Sequence, residues 1–112
     1  MSREWEEAEF SSKAIQIHTP SLVIQCNICD NMMGVCYNPT VVANIMSTSF
    51  ASTYFCNEPL APTNKTIRIA PRSNLKGLGL LCNITIYHDK VKMVLDFHIF
   101  DTQDFDIMIG HP

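Results

Sequence analysis

Hydrophobic and polar positions alternate from Ser21 onward, and alternation with a period of two indicates strands with one buried face. The first such face consists of four apolar side chains: Leu22, Ile24, Cys26 and Ile28. Asp30–Asn31 then predicts a hairpin turn into a second strand, Met32–Tyr37. The two segments predict a β-hairpin that ends at the turn-forming dipeptide Asn38–Pro39.

The same alternation returns in the second half of the chain. Thr66–Ala70 is a short β-type run, and Pro71–Arg72–Ser73–Asn74 predicts a turn after it. The next strand carries five apolar residues on one predicted face: Leu78, Leu80, Cys82, Ile84 and Ile86. After a turn at His88–Asp89–Lys90, a further strand has apolar residues at four alternate positions: Met93, Leu95, Phe97 and Ile99. Phe105–Ile109 predicts a last short strand, which Gly110 closes.

One segment has the wider spacing of apolar residues that is typical of a helix. Asn44–Tyr54 predicts a short helix, although its serines and threonines are poor helix formers. Residues 1–20 predict an acidic N-terminal tail that ends at Pro20, and residues 21–112 predict one folded domain. Several short strands joined by turns, with one short helix, predict a mostly β fold, either a small barrel or a sandwich.

Composition narrows the class of protein. A chain of 112 residues is expected to form one domain, and 46% hydrophobic with 17% charged residues indicates a globular fold. The net charge of −3 argues against a nucleic-acid partner, which a basic surface would attract. The acidic N-terminus does not resemble a signal peptide, and no apolar run approaches the ~20 residues that span a bilayer. We therefore expect no membrane partner and a cytoplasmic or nuclear location.

The chain has five cysteines, and an odd number without a secretory signal indicates free thiols. The pair Cys26–x–x–Cys29 leaves a metal or redox site open as an alternative, with His18 and Cys36 as further ligands of a zinc site that needs about four. The chain has no second paired motif, and buried cysteines usually act as small apolar residues. We therefore expect no metal and no cofactor.

Four motifs follow one another in a fixed order. They are Asn38–Pro39–Thr40–Val41, Asn44–Ile45–Met46–Ser47, Asp96–Phe97–His98–Ile99 and Ile107–Met108–Ile109–Gly110. Their order and spacing resemble a retropepsin-like aspartic protease domain of the plant retrotransposon polyprotein type. In that family the first motif reads Asp–Ser/Thr–Gly–Ala, and the resemblance covers Ser21–Pro112.

The resemblance implies a retropepsin-like acid protease barrel, which is one half of a dimeric aspartic protease. It implies endopeptidase cleavage of a polyprotein, with a polypeptide substrate or peptide ligand and a second copy of the chain as partners. It places Asn38, Pro39 and Thr40 at the catalytic positions. It places the substrate-binding flap at four residues: Ala70, Pro71, Arg72 and Ser73. The family has a short helix and a terminal dimer strand after the Ile–Gly motif, and we expect this chain to lack both.

The three catalytic positions depart from the family. Aspartic proteases activate a water between two carboxylates that share one proton, and the Asn38 amide can neither take up nor release that proton. Pro39 lacks the hydroxyl that the family has there, and β-branched Thr40 replaces a conformationally permissive glycine. Pro39 also has no N–H, which blocks the usual deamidation of Asn38 to Asp. The sequence therefore predicts that the domain is catalytically inactive.

Three alternatives stay open on the sequence. The groove between the flap and the catalytic loop could hold an extended peptide by strand addition, which makes the chain a non-catalytic binding or dimerisation module. The chain could also be a decayed gene fragment with no selected function, for which poor solubility and no cooperative unfolding are expected. Finally, Cys36–Ser47 could be an ordinary loop that never held an active site.

Overall fold

The computed structural model describes residues 15–17, 22–70 and 73–111. Within these ranges the chain forms nine strands and one helix of seven residues, α1 (Thr48–Tyr54). The strands are, in chain order, β1 (Ile15–Gln16), β2 (Leu22–Ile28), β3 (Asn31–Tyr37), β4 (Ile45–Ser47), β5 (Thr66–Ala70), β6 (Ser73–Lys76), β7 (Gly79–His88), β8 (Val91–Phe100) and β9 (Ile107–Ile109). No helix within the described ranges is long and apolar enough to cross a bilayer.

Six of the strands close into a barrel in the order β2-β3-β9-β4-β8-β7, which confirms the predicted mostly β barrel. β9 lies between β3 and β4, parallel to the first and antiparallel to the second. The end of β3 and the segment that leads into β4 therefore meet beside the end of β9. The other three strands form a separate sheet in the order β1-β5-β6.

Two tight turns create the long hairpins of the barrel. Cys29 and Asp30 have φ values of 52° and 63°, and Asp89 and Lys90 have φ values of 48° and 66°. Two successive residues with positive φ form the turn type whose twist matches that of antiparallel strands. Asn31, which was predicted to lie in the first turn, begins β3, and its side-chain amide donates to the Cys29 carbonyl at 3.0 Å.

A β-bulge interrupts β7 at Cys82–Asn83, where its pairing with β8 shifts register between Leu81 and Ile84. Asn83 has a φ of 59°, and its backbone N–H donates to the Asp96 carboxylate at 2.8 Å. An extra residue in a strand reverses the side chains that face inward on its two sides. The bulge therefore divides β7 into two segments of opposite alternation.

Because of this bulge, the buried side chains of the strand differ from the predicted ones. Ile84 and Ile86 are buried, as the alternation predicts. Before the bulge, however, Leu81 is buried, whereas Leu78 and Cys82 are exposed. A single face with a period of two was therefore wrong for the first half of the strand.

The left-handed backbone at the bulge leads to a first prediction. Asn83→Val is expected to lower the free energy of unfolding by about 1–2 kcal/mol, because a β-branched side chain is disfavoured at positive φ. Asn83→Gly should change it by less than about 1 kcal/mol, because glycine adopts this conformation readily. Urea unfolding measures the free energy of unfolding of both variants. Equal losses for valine and glycine would show that this position does not need a left-handed backbone.

The helix is shorter than the predicted Asn44–Tyr54. It begins after Ser47, whose hydroxyl accepts the Phe50 N–H at 3.2 Å and so caps the first turn. The preceding residues form β4 instead, which pairs with β8 on one side and β9 on the other. All three residues of β4 are buried, so pairing with two distant strands overrides the local helical pattern. The last strand also begins later than predicted, at Ile107.

Two hydrophobic clusters stabilise the fold. The first fills the barrel and contains twelve buried residues: Cys26, Ile28, Val35, Met46, Phe50, Leu81, Ile84, Ile86, Phe97, Ile99, Ile107 and Ile109. The second contains eight: Ile15, Ile17, Val41, Ala43, Ile45, Ile67, Phe100 and Met108. Neighbouring residues of β4, β8 and β9 alternate between the two clusters, so the second lies on the opposite face of these strands. There it joins the three-stranded sheet to the barrel.

The predicted tail includes residues 15–17, and here the structure differs from the expectation. β1 pairs in parallel with β5, and the side chains of Ile15 and Ile17 are buried in the second cluster. Two isoleucines separated by one residue can add to a free strand edge, but the sequence does not show where that edge is. Residues 1–14 and 18–21 lie outside the described residues, so the domain boundary after residue 20 stays a prediction.

Candidate functional site

The segment from Asn38 to Asn44 connects β3 to β4 and lies against the end of β9. The Asn38 N–H donates to the Ile109 carbonyl at 2.9 Å, which extends the pairing of β3 with β9 by one residue. On the far side of the turn, the His111 N–H donates to the Val41 carbonyl at 2.7 Å. This segment, which we call the site loop, is therefore hydrogen-bonded to Ile109 at the end of β9 and to His111 just beyond it.

The side chain of Asn38 is buried at the point where the strand becomes a turn, with 6% of its surface exposed. Its Oδ1 atom accepts two hydrogen bonds from Thr40, one from the backbone N–H at 3.1 Å and one from the hydroxyl at 2.6 Å. The Asn38 carbonyl accepts the Val41 N–H at 3.1 Å, which closes the turn. Asn38 is therefore a turn-forming residue, while Pro39 and Thr40 are exposed.

Two opposing effects would act on a carboxylate at position 38. A carboxylate there would find the same two donors on Thr40, and hydrogen bonds to a charged form favour it. Burial acts in the opposite direction, because it removes the charge from water. The amide itself has no protonation step at ordinary pH, so Asn38 cannot exchange a proton with a water or a peptide group.

Asn44 fastens the site loop to two strands and was missed as a site residue by the sequence reasoning. Its side-chain Oδ1 accepts the Gly110 N–H at 3.0 Å, and its Nδ2 donates to the Asp96 carbonyl at 3.2 Å. Its backbone carbonyl also accepts the His98 N–H at 2.9 Å. Because Asn44 is only 4% exposed, these bonds replace contacts with water that the folded state has lost. In the sequence it stood as the first residue of a predicted helix and of the motif Asn44–Ile45–Met46–Ser47, without a role of its own.

Gly110 allows the loop to approach the end of β9. A Cβ atom at this position would lie 2.3 Å from the carbonyl oxygens of both Val41 and Ala43. Side chains do not approach backbone oxygens so closely, so the position accepts only glycine without a shift of the loop. This contact explains why a glycine follows Ile109 at the end of β9.

The predicted flap corresponds to the hairpin of β5 and β6. Pro71 and Arg72 lie outside the described residues, and only the backbones of Ala70 and Ser73 are described, which pair with each other across the hairpin. The predicted turn was too long, because Ser73 and the residue after it belong to β6. The base of this hairpin packs on the site loop, because Ile67 of β5 shares the second cluster with loop residues. The structure therefore places the hairpin and the site loop side by side.

An open pocket of about 480 Å³ lies beside the site loop, and His98 is its most distinctive group. The Nδ1 atom of His98 and the Thr63 hydroxyl are hydrogen-bonded at 2.8 Å. Burial lowers the pKa of His98, nearby Lys65 lowers it further, and Asp96 acts in the opposite direction. The imidazole is therefore neutral at pH 7 in the folded protein.

The lowered pKa of His98 predicts a loss of stability in acid. The unfolded chain binds the proton more readily, so the free energy of unfolding should fall as pH decreases below about 6.5 and level off below the folded pKa. His98→Gln should show a smaller decrease between about pH 7.5 and about pH 5 in urea unfolding. His111→Gln, at an exposed position, is the matched control and should behave like the wild type. Identical pH dependence in all three proteins would contradict the assignment to His98.

The two thiols of the Cys26–x–x–Cys29 pair do not share a surface. Cys26 is fully buried inside the barrel, and burial, with a smaller effect of Asp89, raises the pKa of its thiol. Cys29 is exposed in the turn after β2. Within the described part of the chain, no group of three or more His, Cys, Asp or Glu side chains is arranged to hold a metal ion. The geometry thus gives no support to the alternative metal site.

Comparison with known proteins gives a fold but not a family. No family model matches the sequence, and no curated protein matches it. Among solved structures, the chain is similar to the crystal structure of the retroviral protease-like domain of Ddi1 from Leishmania major. The TM-score is 0.59, with 14% sequence identity over 82% of this chain and 70% of that chain. The similarity confirms the predicted retropepsin-like fold, and at this identity it establishes the fold alone.

Proposed function

We propose that this chain is an aspartic-peptidase-like domain that does not catalyse peptide hydrolysis. The retropepsin-like fold supports the first part of this proposal. The observation that carries the second part is the buried amide of Asn38, which follows β3 directly and accepts hydrogen bonds from Thr40. An origin in plant retrotransposon polyproteins is a finer part of the proposal, and it rests on the order of the sequence motifs.

The proposal follows from the proton transfers that this hydrolysis needs. One carboxylate must take a proton from the attacking water while the other donates one, and an amide does neither. The framework around the position does not depend on that charge, because the site loop is held by its close backbone approach to Gly110 and by the bond from the Gly110 N–H to the Asn44 side chain. We therefore expect a folded scaffold that lacks the catalytic chemistry at positions 38–40.

A triple revertant tests the proposal. Asn38→Asp, Pro39→Ser and Thr40→Gly should together produce peptidase activity that pepstatin inhibits, while the wild type should show none at acidic to neutral pH. If two copies each supply one carboxylate, the rate should rise more steeply than in proportion to the concentration of the chain. The matched control carries Asn38→Ala with the other two reversions and should stay inactive. Pepstatin-sensitive cleavage by the wild type would contradict the proposed lack of catalysis, and an inactive revertant would contradict the assignment of that loss to positions 38–40.

A second candidate function is peptide binding by strand addition, possible with or without catalysis. The observation that favours it is the sheet of β1, β5 and β6, in which a strand of only two residues adds to the edge of the flap hairpin. Backbone groups at a sheet edge accept an extended peptide in this way.

Association into a homodimer belongs to the same proposal, and light scattering of the purified chain measures it. Cooperative urea unfolding would argue against the alternative of a decayed fragment.

A further inference from the structure

β1 has fewer paired residues than the other strands. It pairs with β5 over two residues, Ile15 with Ile67 and Gln16 with Arg68, and the Ile17 N–H donates to the Arg68 carbonyl at 3.0 Å. The hairpin of β2 and β3, in contrast, pairs over seven residues. Segments with few backbone hydrogen bonds open at a lower free energy than the rest of a fold. β1 is therefore a short strand that can leave the sheet while the barrel stays folded.

The side chains of Ile15 in β1 and of Ile17 just after it indicate which kind of residue can bind at this edge of the sheet. Ile15 is 9% exposed and Ile17 is 7% exposed, and both belong to the cluster that contains Val41 and Ala43 of the site loop. The segment from Ile15 to Ile17 therefore lies with its backbone along β5 and with its two isoleucines in the apolar cluster that also contains side chains of the site loop. The floor under these two side chains is apolar, and the edge beside them offers backbone groups for hydrogen bonds.

These two features describe the chemistry of a peptide ligand. In strand addition the backbone bonds supply affinity, and alternate side chains supply specificity because they point to the same face. A matching ligand is an extended peptide that runs parallel to β5 and carries two aliphatic residues separated by one residue. The segment Ile15–Gln16–Ile17 of this chain has that pattern and already fills the position.

We propose that β1 is an internal occupant of a peptide-binding groove between β5 and the site loop, and that a peptide with this aliphatic pattern must displace it to bind. The inference rests on the peptide-binding function proposed above and adds the ligand class and its regulation. The apparent affinity of a site is reduced by the fraction of molecules in which it is open. The groove is therefore available to a peptide only in the molecules in which β1 has left β5.

Binding of a labelled peptide to the full-length chain tests the proposal. The peptide has the sequence of residues 13–19, and a control peptide carries serine in place of both isoleucines. The protein variant carries Ile15→Ser and Ile17→Ser, which weakens the internal occupant without touching the groove. Val91→Ser is the matched control, because Val91 lies on the outside of the barrel and is 61% exposed in the wild type. Fluorescence anisotropy gives the Kd of each pair, and mass spectrometry of the peptide reports any cleavage.

For the isoleucine peptide, the Kd of the double serine variant should be lower, by roughly tenfold or more, than the Kd of the wild type or of Val91→Ser. None of the proteins should bind the serine peptide. Equal binding of the isoleucine peptide by all three proteins would overturn the internal occupancy while leaving peptide binding intact. No binding by a cooperatively folded double variant would contradict peptide binding itself. A cleaved peptide would contradict the proposed loss of catalysis and would leave the occupancy to be decided by the Kd values.

Hydrogen exchange on the wild type provides a second test that does not depend on the variant being folded. Excess isoleucine peptide should increase amide exchange at Ile17, whose N–H is bonded to Arg68, and leave exchange at the barrel residue Phe97 unchanged. The serine peptide should change neither. Unchanged exchange at Ile17 under concentrations that saturate binding would overturn the proposal, because the peptide would then bind without displacing β1.

Discussion

Replacing Gly110 with alanine is expected to lower the free energy of unfolding by about 3 kcal/mol or more. The added Cβ would lie 2.3 Å from the carbonyl oxygens of Val41 and Ala43, and both oxygens belong to backbone that cannot rotate away. Relief requires the site loop to move from the end of β9. That movement would also break the bond from the His111 N–H to the Val41 carbonyl.

Urea unfolding of Gly110→Ala measures this loss, and Gly34→Ala is the matched control. At Gly34 the added Cβ would contact the Val23 side chain at 3.1 Å, and that side chain is 65% exposed and free to shift. We expect a change of less than about 1 kcal/mol for the control. Similar losses at both positions would show that the close approach of the loop to Gly110 does not decide stability.

Asn44→Ala is expected to lower the free energy of unfolding by about 2–4 kcal/mol. The substitution leaves the Gly110 N–H without its acceptor and removes one donor from the Asp96 carbonyl. Each buried polar group that loses its partner costs about 1–3 kcal/mol, which exceeds the net value of an ordinary hydrogen bond. Because both bonds span more than fifty residues of sequence, their loss should loosen the site loop as well as destabilise the fold.

The matched control for this prediction is Asn57→Ala, at an exposed position outside the barrel, which should change the free energy of unfolding by less than about 0.5 kcal/mol. Asn44→Asp separates the two bonds of Asn44. It keeps an acceptor for the Gly110 N–H and loses the donor to the Asp96 carbonyl, so we expect its loss of stability to arise at the Asp96 carbonyl and not at the Gly110 N–H. Comparable unfolding of Asn44→Ala and Asn57→Ala would contradict a bridging role for Asn44.

Together these predictions separate the scaffold of the site from its chemistry. The close contact at Gly110 and the side-chain bonds of Asn44 hold the site loop in place, whereas the side chain of Asn38 accepts hydrogen bonds from Thr40 within the turn. Damage to the scaffold should reduce stability in the wild type, which has no activity to lose under the proposed function. Restoring a carboxylate at position 38 should therefore have an effect on activity only where these two scaffold residues are intact.

The local patterns predicted the hairpins well. Cys26, Ile28 and Ile86 face the barrel interior as their alternation predicts, and so do Phe97 and Ile99 of β8. A two-residue turn needs only local backbone preferences, so Asp89–Lys90 appears where the sequence places it. The motif resemblance added the retropepsin-like fold, because several motifs in one order limit the possible topologies more than any one of them.

What the sequence by itself determined is the class of fold, the hairpins and the chemical limit on Asn38, because these depend on neighbouring residues and on side-chain type. Tertiary structure alone decided four features: the bulge at Asn83, the strand that replaces the first turn of the helix, the pairing of β1 with β5 and the bridge made by Asn44. Each depends on a partner far along the chain. A strand edge or a buried carbonyl exists only once the barrel has formed, and its effect on a distant residue is absent from the local pattern.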